Sequence, residues 1–246
     1  MKILFDKGSS QVQVDIETDG KRLSVLFEAI KKEGWTYAIG PDRISKEALH
    51  GVDCLAILTR HQATQPGTTN PFPSDWDFAY TKEELYAIEH FVGKEGGGLV
   101  LISNHGPFAA GDVDWTVYDK VLAAKFDVTI KPDAFQGPGG VLKMSGKDLN
   151  PDQKCVLDGV KSIVPHNSCG VSTKDAADFV AHVPSDATPP PHGENYAVRR
   201  GKVIVAGNSG IAGSPGTNYP AAGMIDEGDN KQFLLDCFRC TAKREK

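Results

Sequence analysis

Polar side chains able to do acid–base or ligand-binding chemistry follow four apolar, strand-like segments of this chain. His105 is the sharpest candidate, because it follows the buried-strand pattern Gly98–Ile102 within a short Ser-Asn-His-Gly turn. A neutral imidazole at such a turn could serve as a general base or as a metal ligand. The polar residues at the four strand ends are Asp6 and Ser9, Arg60 and His61, Asn104 and His105, and Asn208 and Ser209.

The carboxyl ends of parallel strands meet at one edge of a sheet, where open α/β folds bind their ligands. We therefore expect these side chains to share one crevice. We predict His105 and Ser209 as catalytic residues, and Asp6, Ser9, His61, Asn104 and Asn208 as ligand-binding residues.

A metal site is one alternative for the same crevice. It would combine His61 and His105 with a carboxylate from Asp6, Asp112 or Asp114. Because no segment has the local spacing of a zinc motif such as His-Glu-x-x-His, we predict no bound metal and no cofactor.

A Ser–His pair is a second alternative and stays open. Ser9 or Ser209 could be activated by His61 or His105. The chain lacks the Gly-x-Ser-x-Gly turn that usually presents such a serine.

The elements that must position these groups can be read from apolar periodicity. Leu23, Leu26, Phe27 and Ile30 mark one face of a helix, and Thr81-Lys82-Glu83-Glu84 is a capping box that opens another. The strand and helix patterns alternate along the chain, which predicts an α/β fold with a doubly wound, mostly parallel sheet and helices on both faces. We also predict an inserted loop at about 59–80, which could be a lid or a partner-binding surface, and a β-rich excursion at about 132–200.

Composition limits the partners and the compartment. The net charge is −5 with no basic run, so we expect neither nucleic acid nor a membrane as a partner. The five cysteines are odd in number and irregular in spacing, which argues against a disulfide framework and favours a cytoplasmic protein. A homo-oligomer stays open.

Four segments together resemble the class I glutamine amidotransferase-like superfamily. They are Ile-Leu-Phe-Asp at 3–6, Gly-Val-Asp-Cys-Leu-Ala-Ile-Leu at 51–58, Thr-Lys-Glu-Glu-Leu through Gly-Gly-Gly-Leu-Val-Leu-Ile at 81–102, and Gly-Lys-Val-Ile-Val-Ala-Gly-Asn-Ser at 201–209. The pattern is most similar to divergent branches that are not amidotransferases, the ThuA-like and DUF4350-like domains. The resemblance implies a flavodoxin-like fold and one amidotransferase-like domain over 1–246.

The resemblance also bears on chemistry. Catalytic members of the superfamily carry a nucleophilic cysteine directly after the strand that corresponds to Leu99–Ile102. This chain has Ser103 there instead, so we predict that it is not a glutamine amidotransferase. The ThuA-like resemblance implies a small polar ligand, such as a carbohydrate.

Two hypotheses follow. In the first, the crevice binds a small polar ligand and hydrolyses it with His105 as the base, positioned by Asn104 and Ser209. In the second, the chain is a non-catalytic binding or assembly module that kept the fold. An enzyme should leave room for a ligand beside His105, whereas a module should fill the crevice with its own side chains.

Overall fold

The computed structural model describes residues 1–60, 77–107, 112–215 and 223–242. The described strands are β1 (Lys2–Phe5), β2 (Thr36–Ile39), β3 (Cys54–Leu58), β4 (Gly98–Ile102), β5 (Val128–Gln136), β6 (Met144–Ser145), β7 (Ser162–Ile163), β8 (Asn167–Thr173), β9 (Phe179–His182), β10 (Asn195–Arg200) and β11 (Val203–Ala206). The α-helices are α1 (Ser10–Glu17), α2 (Ser24–Lys32), α3 (Lys46–Leu49), α4 (Lys82–Gly93), α5 (Val117–Ala124) and α6 (Asn230–Thr241).

One large sheet runs in the order β2-β1-β3-β4-β11-β10-β8-β5, with β9 paired to β10. The first five strands pair in parallel. Strands β10, β8, β5 and β9 add antiparallel pairs on one side. The parallel part has the flavodoxin-like order, in which ligands bind at the carboxyl ends of the first and third strands. The predicted α/β fold is therefore confirmed.

The parallel strands are buried on both faces. In β1, Ile3 and Phe5 belong to one apolar cluster, whereas Leu4 belongs to the other. The first cluster packs under α1, α2 and α6, and the second under α3, α4 and α5. Because neighbouring side chains on a strand point to opposite faces, an unbroken apolar run such as Gly98–Ile102 suits this position.

The predicted capping box of α4 is present. The Thr81 hydroxyl accepts from the Glu84 N–H, and the Glu84 carboxylate accepts from the Thr81 N–H. The reciprocal bonds satisfy two backbone donors that the first turn leaves unpaired. The predicted cap of α6 differs, because the Asp229 carboxylate accepts from the N–H groups of Lys161 and Ser162 rather than from its own helix.

Helix α1 lies where the sequence indicates a polar loop followed by unassigned residues. Its apolar pattern is weak because polar side chains such as Gln11 and Asp15 are buried and bonded inside the protein. In the excursion, the predicted strand Val141–Met144 is also different, since only Met144–Ser145 pairs, with Ser162–Ile163. Both differences come from long-range contacts that a local pattern does not contain.

The expectation that the cysteines form no disulfide is wrong. Cys155, in the excursion, is bonded to Cys240 near the end of α6, with their Cα atoms 5.8 Å apart. The two residues are separated by 85 positions, and no spacing rule connects them. Disulfides persist mainly in oxidising compartments, so the bond weighs against the cytoplasmic location, which stays a prediction. Among the described helices, none is long and apolar enough to cross a bilayer.

Candidate functional site

The carboxyl ends of β1 and β3 are joined by a buried ion pair. Arg60 follows β3 and Asp6 follows β1, so the parallel pairing of these strands brings the two residues side by side. Arg60 Nη2 donates to Asp6 Oδ1 at 2.9 Å, and Arg60 Nε donates to Asp6 Oδ2 at 3.1 Å. Both side chains are fully shielded from solvent. This two-pronged geometry is the strongest form of an arginine–carboxylate contact.

A second carboxylate completes the cluster. Arg60 Nη2 also donates to Glu84 Oε1 at 2.8 Å, and its Nη1 donates to the carbonyl oxygen of Phe78 at 3.2 Å. The guanidinium lies over the ring of Tyr80, with Cζ 4.0 Å from the ring centroid. We call Arg60, Asp6 and Glu84 the arginine cluster.

The charges of the arginine cluster stabilise one another. Burial alone would lower the pKa of Arg60, but the carboxylates of Asp6 and Glu84 raise it above its usual value. Burial alone would raise the pKa of Glu84, but the hydrogen bonds from Arg60 and the Thr81 N–H hold it below its usual value. Arg60 and Glu84 are therefore both charged at neutral pH, and each compensates the burial of the other.

A second buried carboxylate, Asp119 of α5, connects the arginine cluster to the turn after β4. Asp119 Oδ1 accepts from the Arg60 N–H at 3.0 Å, and its Oδ2 accepts from the Ser103 hydroxyl at 2.7 Å. Burial raises the pKa of Asp119 to about 7. Ser103, at the position where the resembling family carries its nucleophile, is buried and donates its proton to Asp119.

His105 lies beyond this turn and is half-buried. Its Nδ1 lies 2.6 Å from the carbonyl oxygen of Gly106, which can only accept, so Nδ1 carries the proton. Burial lowers the pKa of His105, which makes the neutral imidazole the main form at pH 7. The His105 N–H donates to Asn104 Oδ1 at 2.9 Å, so Asn104 holds the turn.

Asn208 and Ser209, after β11, are held by other partners. Asn208 Nδ2 donates to the backbone oxygen of Asn167 at 2.6 Å, and Asn208 Oδ1 accepts from the Gly210 N–H at 2.7 Å. Ser209 Oγ accepts from Gln11 Nε2 at 3.2 Å. Gln11 Oε1 in turn accepts from the buried Arg22 Nε at 2.7 Å. Both predicted residues thus support the loop in which they lie.

The structure brings together only part of the predicted set. Asp6, Ser9 and Arg60 form one group, in which the Ser9 hydroxyl donates to Asp6 Oδ2 at 3.2 Å. The hydrogen bonds described for His105 and Ser209 lead to different groups. His61 lies outside the described residues.

Sequence reasoning missed two buried acids of the site, Glu84 and Asp119. The capping box gave Glu84 a role in its own helix, and nothing in the sequence pointed from Glu84 to Arg60. The signal for Asp119 was a carboxylate on an otherwise buried helical face. Among the described residues, no group of three or more His, Cys, Asp or Glu side chains is placed to hold a metal ion.

None of the cysteines is an accessible thiol. Cys54, Cys169 and Cys237 are fully buried, and Cys155 and Cys240 are bonded to each other. Burial raises the pKa of Cys54 to about 12 and raises the pKa values of Cys169 and Cys237 as well. A thiolate nucleophile needs the opposite environment, one that lowers the pKa.

Comparison with known proteins identifies the fold but no family. No family model and no curated protein sequence matches the chain. The solved mmIFT52 N-terminal domain is similar, with a TM-score of 0.65, 14% identity, and coverage of 96% of this chain and 94% of that chain. A ThuA-like protein from Bacteroides uniformis ATCC 8492 has a TM-score of 0.56, 13% identity, and coverage of 100% and 91%.

These two similarities extend over almost the whole of each chain, so the fold is shared from end to end. A GMP synthase protein from Thermoplasma acidophilum has a TM-score of only 0.45, and we base nothing on it. The likeness to a ThuA-like protein agrees with the resemblance found in the sequence. At 13–14% identity the likenesses concern the fold alone.

Proposed function

We propose that this chain is a non-catalytic binding or assembly module that retains an amidotransferase-like fold. The observation that carries the proposal is the arginine cluster at the carboxyl ends of β1 and β3. In the flavodoxin-like order, ligands bind at this point of the sheet. Here it holds a bidentate ion pair whose members are fully shielded from solvent.

Two further observations support the proposal. Every cysteine of the chain is either buried or in a disulfide, so no thiol is available for glutaminase chemistry. The Ser103 hydroxyl is buried and committed to Asp119, which leaves it unsuited to attack a substrate. A group that is fully bonded inside the protein would have to give up those bonds before it could react.

Turnover assays on the purified full chain test the proposal. Suitable probes are L-glutamine, p-nitrophenyl acetate and a p-nitrophenyl β-D-glucoside, each at millimolar concentration over pH 6–9. We expect hydrolysis at the rate of the buffer blank. Turnover of any probe that disappears in His105→Ala, but not in His90→Ala on the surface of α4, would overturn the proposal.

One observation favours a second candidate, the hydrolysis of a small polar ligand such as a carbohydrate. The Gly106 carbonyl fixes the proton of His105 on Nδ1, which is the tautomer whose Nε2 could accept a proton from water. Burial keeps the imidazole neutral at pH 7, as a general base requires. In this second candidate, Asn104 orients the histidine through its backbone N–H.

The same assays separate the two candidates. A hydrolase would show a rate that rises with pH through the lowered pKa of His105, and His105→Ala would reduce the rate by about 100-fold or more. His105→Gln, which retains a side-chain hydrogen-bond donor but no base, should be equally inactive. The circular dichroism spectra of both variants should match that of the wild type.

A further inference from the structure

The two ends of the large sheet differ in how their edges are protected. At one end, β5 carries Lys131, Pro132 and Asp133, and its pairing with β8 shifts register between Lys131 and Phe135. Charged residues, proline and irregular pairing are the usual means of preventing an edge strand from pairing with another chain. At the other end, β2 reads Thr-Tyr-Ala-Ile and carries none of these features.

The outer side of β2 presents unpaired backbone groups. The Thr36 N–H donates to the Met1 carbonyl and the Gly40 N–H donates to the Phe5 carbonyl, so the even-numbered residues face β1. Backbone groups alternate in direction along a strand, and those of Tyr37 and Ile39 therefore point away from the sheet. No described strand pairs with this side of β2. Ile39 is 38% exposed, which is unusual for a large apolar residue in a strand.

We propose that β2 is a self-association edge, on which the β2 strand of a second copy of this chain pairs in antiparallel fashion. A two-fold axis beside Ala38 places Tyr37 of each copy opposite Ile39 of the other. Each such pair exchanges two backbone hydrogen bonds, about four in total. This register uses both outward-pointing groups of Tyr37 and of Ile39.

The side chains suit the same register. Tyr37 and Ile39 lie on one face of the strand, so the register forms two aromatic–β-branched cross-strand pairs, which are among the more favourable pairs in sheets. Tyr37 is already held in place by stacking on Phe27, with the ring centroids 4.0 Å apart. Ordering this strand in the dimer therefore costs little additional entropy.

Charge is also complementary about this axis. Glu33 and Arg43 lie equally far before and after Ala38, so the axis brings Glu33 of each copy towards Arg43 of the other. Both side chains are partly exposed in the single chain. A second copy is therefore a better-matched occupant than an unrelated strand, whose flanking charges would match only by chance. The proposal does not depend on whether the chain is catalytic.

A pairing of two short strands buries less surface than the ~1,600 Å² of a standard interface. We therefore expect a weak dimer, with a dissociation constant on the order of 0.1 mM. Sedimentation velocity of the full chain from about 10 µM to about 1 mM should show a concentration-dependent shift from monomer to dimer. Amide hydrogen exchange at Tyr37 and Ile39 should slow at least several-fold over the same range.

Two variants test the surface directly. Ile39→Pro removes an outward N–H without disturbing the pairing of β2 with β1, and Ile39→Lys places a charge at the cross-strand contact. Each should raise the dissociation constant at least ~10-fold. Thr129→Lys is the matched control, because Thr129 is an exposed residue of the opposite edge strand β5.

Three results would overturn the proposal. They are a wild-type chain that stays monomeric at about 1 mM, a dimer that Ile39→Lys leaves intact, and a dimer that Thr129→Lys weakens equally. Near-ultraviolet circular dichroism checks that each variant is folded. If Ile39→Pro is not folded, Ile39→Lys and the exchange of the two wild-type amides decide the matter.

Discussion

Arg60 and Asp6 make two parallel hydrogen bonds, 2.9 and 3.1 Å long, at a point of the sheet where no solvent reaches either side chain. These residues follow neighbouring parallel strands, so the contact ties the loop after β1 to the loop after β3. Glu84 adds a tie to the first turn of α4. Polar residues that the sequence indicated as a ligand site thus stabilise the carboxyl edge of the sheet.

The arginine cluster gives the first prediction. Arg60→Met removes the only cation fully buried with Asp6 and Glu84 within the described residues, which leaves two buried carboxylates without their main partner. We expect the free energy of unfolding to fall by about 3–5 kcal/mol. Urea denaturation followed by circular dichroism measures it.

Arg43→Met is the matched control for Arg60. Arg43 contacts the same carboxylate, Glu84, at 3.0 Å, but more than half of its side chain is exposed. Its loss should cost less than about 1 kcal/mol, as is usual for exposed ion pairs. Equal effects of the two substitutions would show that burial does not set the strength of the cluster.

Asp119 gives a prediction about pH. Its pKa is about 7 in the folded protein, compared with about 3.9 in an unfolded chain. Between these values the folded state binds more protons than the unfolded state, so the Asp119 contribution to stability is lost as pH rises from about 4 to about 7. Ionisation above pH 7 leaves a buried negative charge beside the arginine cluster.

Asp119→Asn should remove this contribution. The amide can still accept from the Arg60 N–H and can donate to Ser103, so the fold should be kept. Urea denaturation at pH 5 and pH 8 should show a difference in stability between the two pH values that is smaller in the variant by at least ~1 kcal/mol. An unchanged difference would mean that Asp119 does not titrate in this range.

The disulfide gives a third prediction. Cys155 is exposed, whereas Cys54, Cys169 and Cys237 are fully buried. In the native protein without reductant, iodoacetamide should therefore label no cysteine, and mild reduction should make Cys155 the first to react. Mass spectrometry of the intact and digested protein counts and locates the labels. Labelling of Cys54 before Cys155 would contradict the burial described for it.

Replacing both bonded cysteines by serine should also lower stability. The bond closes a loop of 85 residues, and loops of this length correspond to about 3–4 kcal/mol. Cys237→Ser, in the same helix, is a useful comparison because it alters a buried thiol without opening the loop. Thermal unfolding with and without reductant should converge for the double serine variant but not for the wild type.

Gly106 gives a fourth prediction, because it is pressed against the backbone of β5. A β-carbon added there would lie 1.6 Å from the carbonyl oxygen of Pro132. Gly106→Ala should therefore destabilise the protein by about 2 kcal/mol or more. Gly93→Ala, where an added β-carbon meets nothing within 4 Å, should be neutral or slightly stabilising. Comparable melting temperatures for the two variants would contradict the close approach.

The elements of the parallel part could be predicted because each of them carries a local pattern. Gly98–Ile102 is apolar throughout, as a strand covered on both faces should be, and the capping box at Thr81 marks where the preceding helix begins. Helix α1 and the short strands of the excursion lack such patterns. Their conformations depend on distant partners, as in the bond from Gln11 to Ser209.

The sequence by itself determined that a layer of parallel strands would bring polar residues to one edge, because apolar periodicity and the alternation of strands with helices are visible along the chain. Only the tertiary structure decided what those residues do there. Arg60 meets Asp6 and Glu84, and Cys155 meets Cys240, through contacts between segments far apart in the chain. Whether a polar group binds a ligand or a neighbouring side chain depends on which charges burial places beside it, and spacing along the chain does not contain that information.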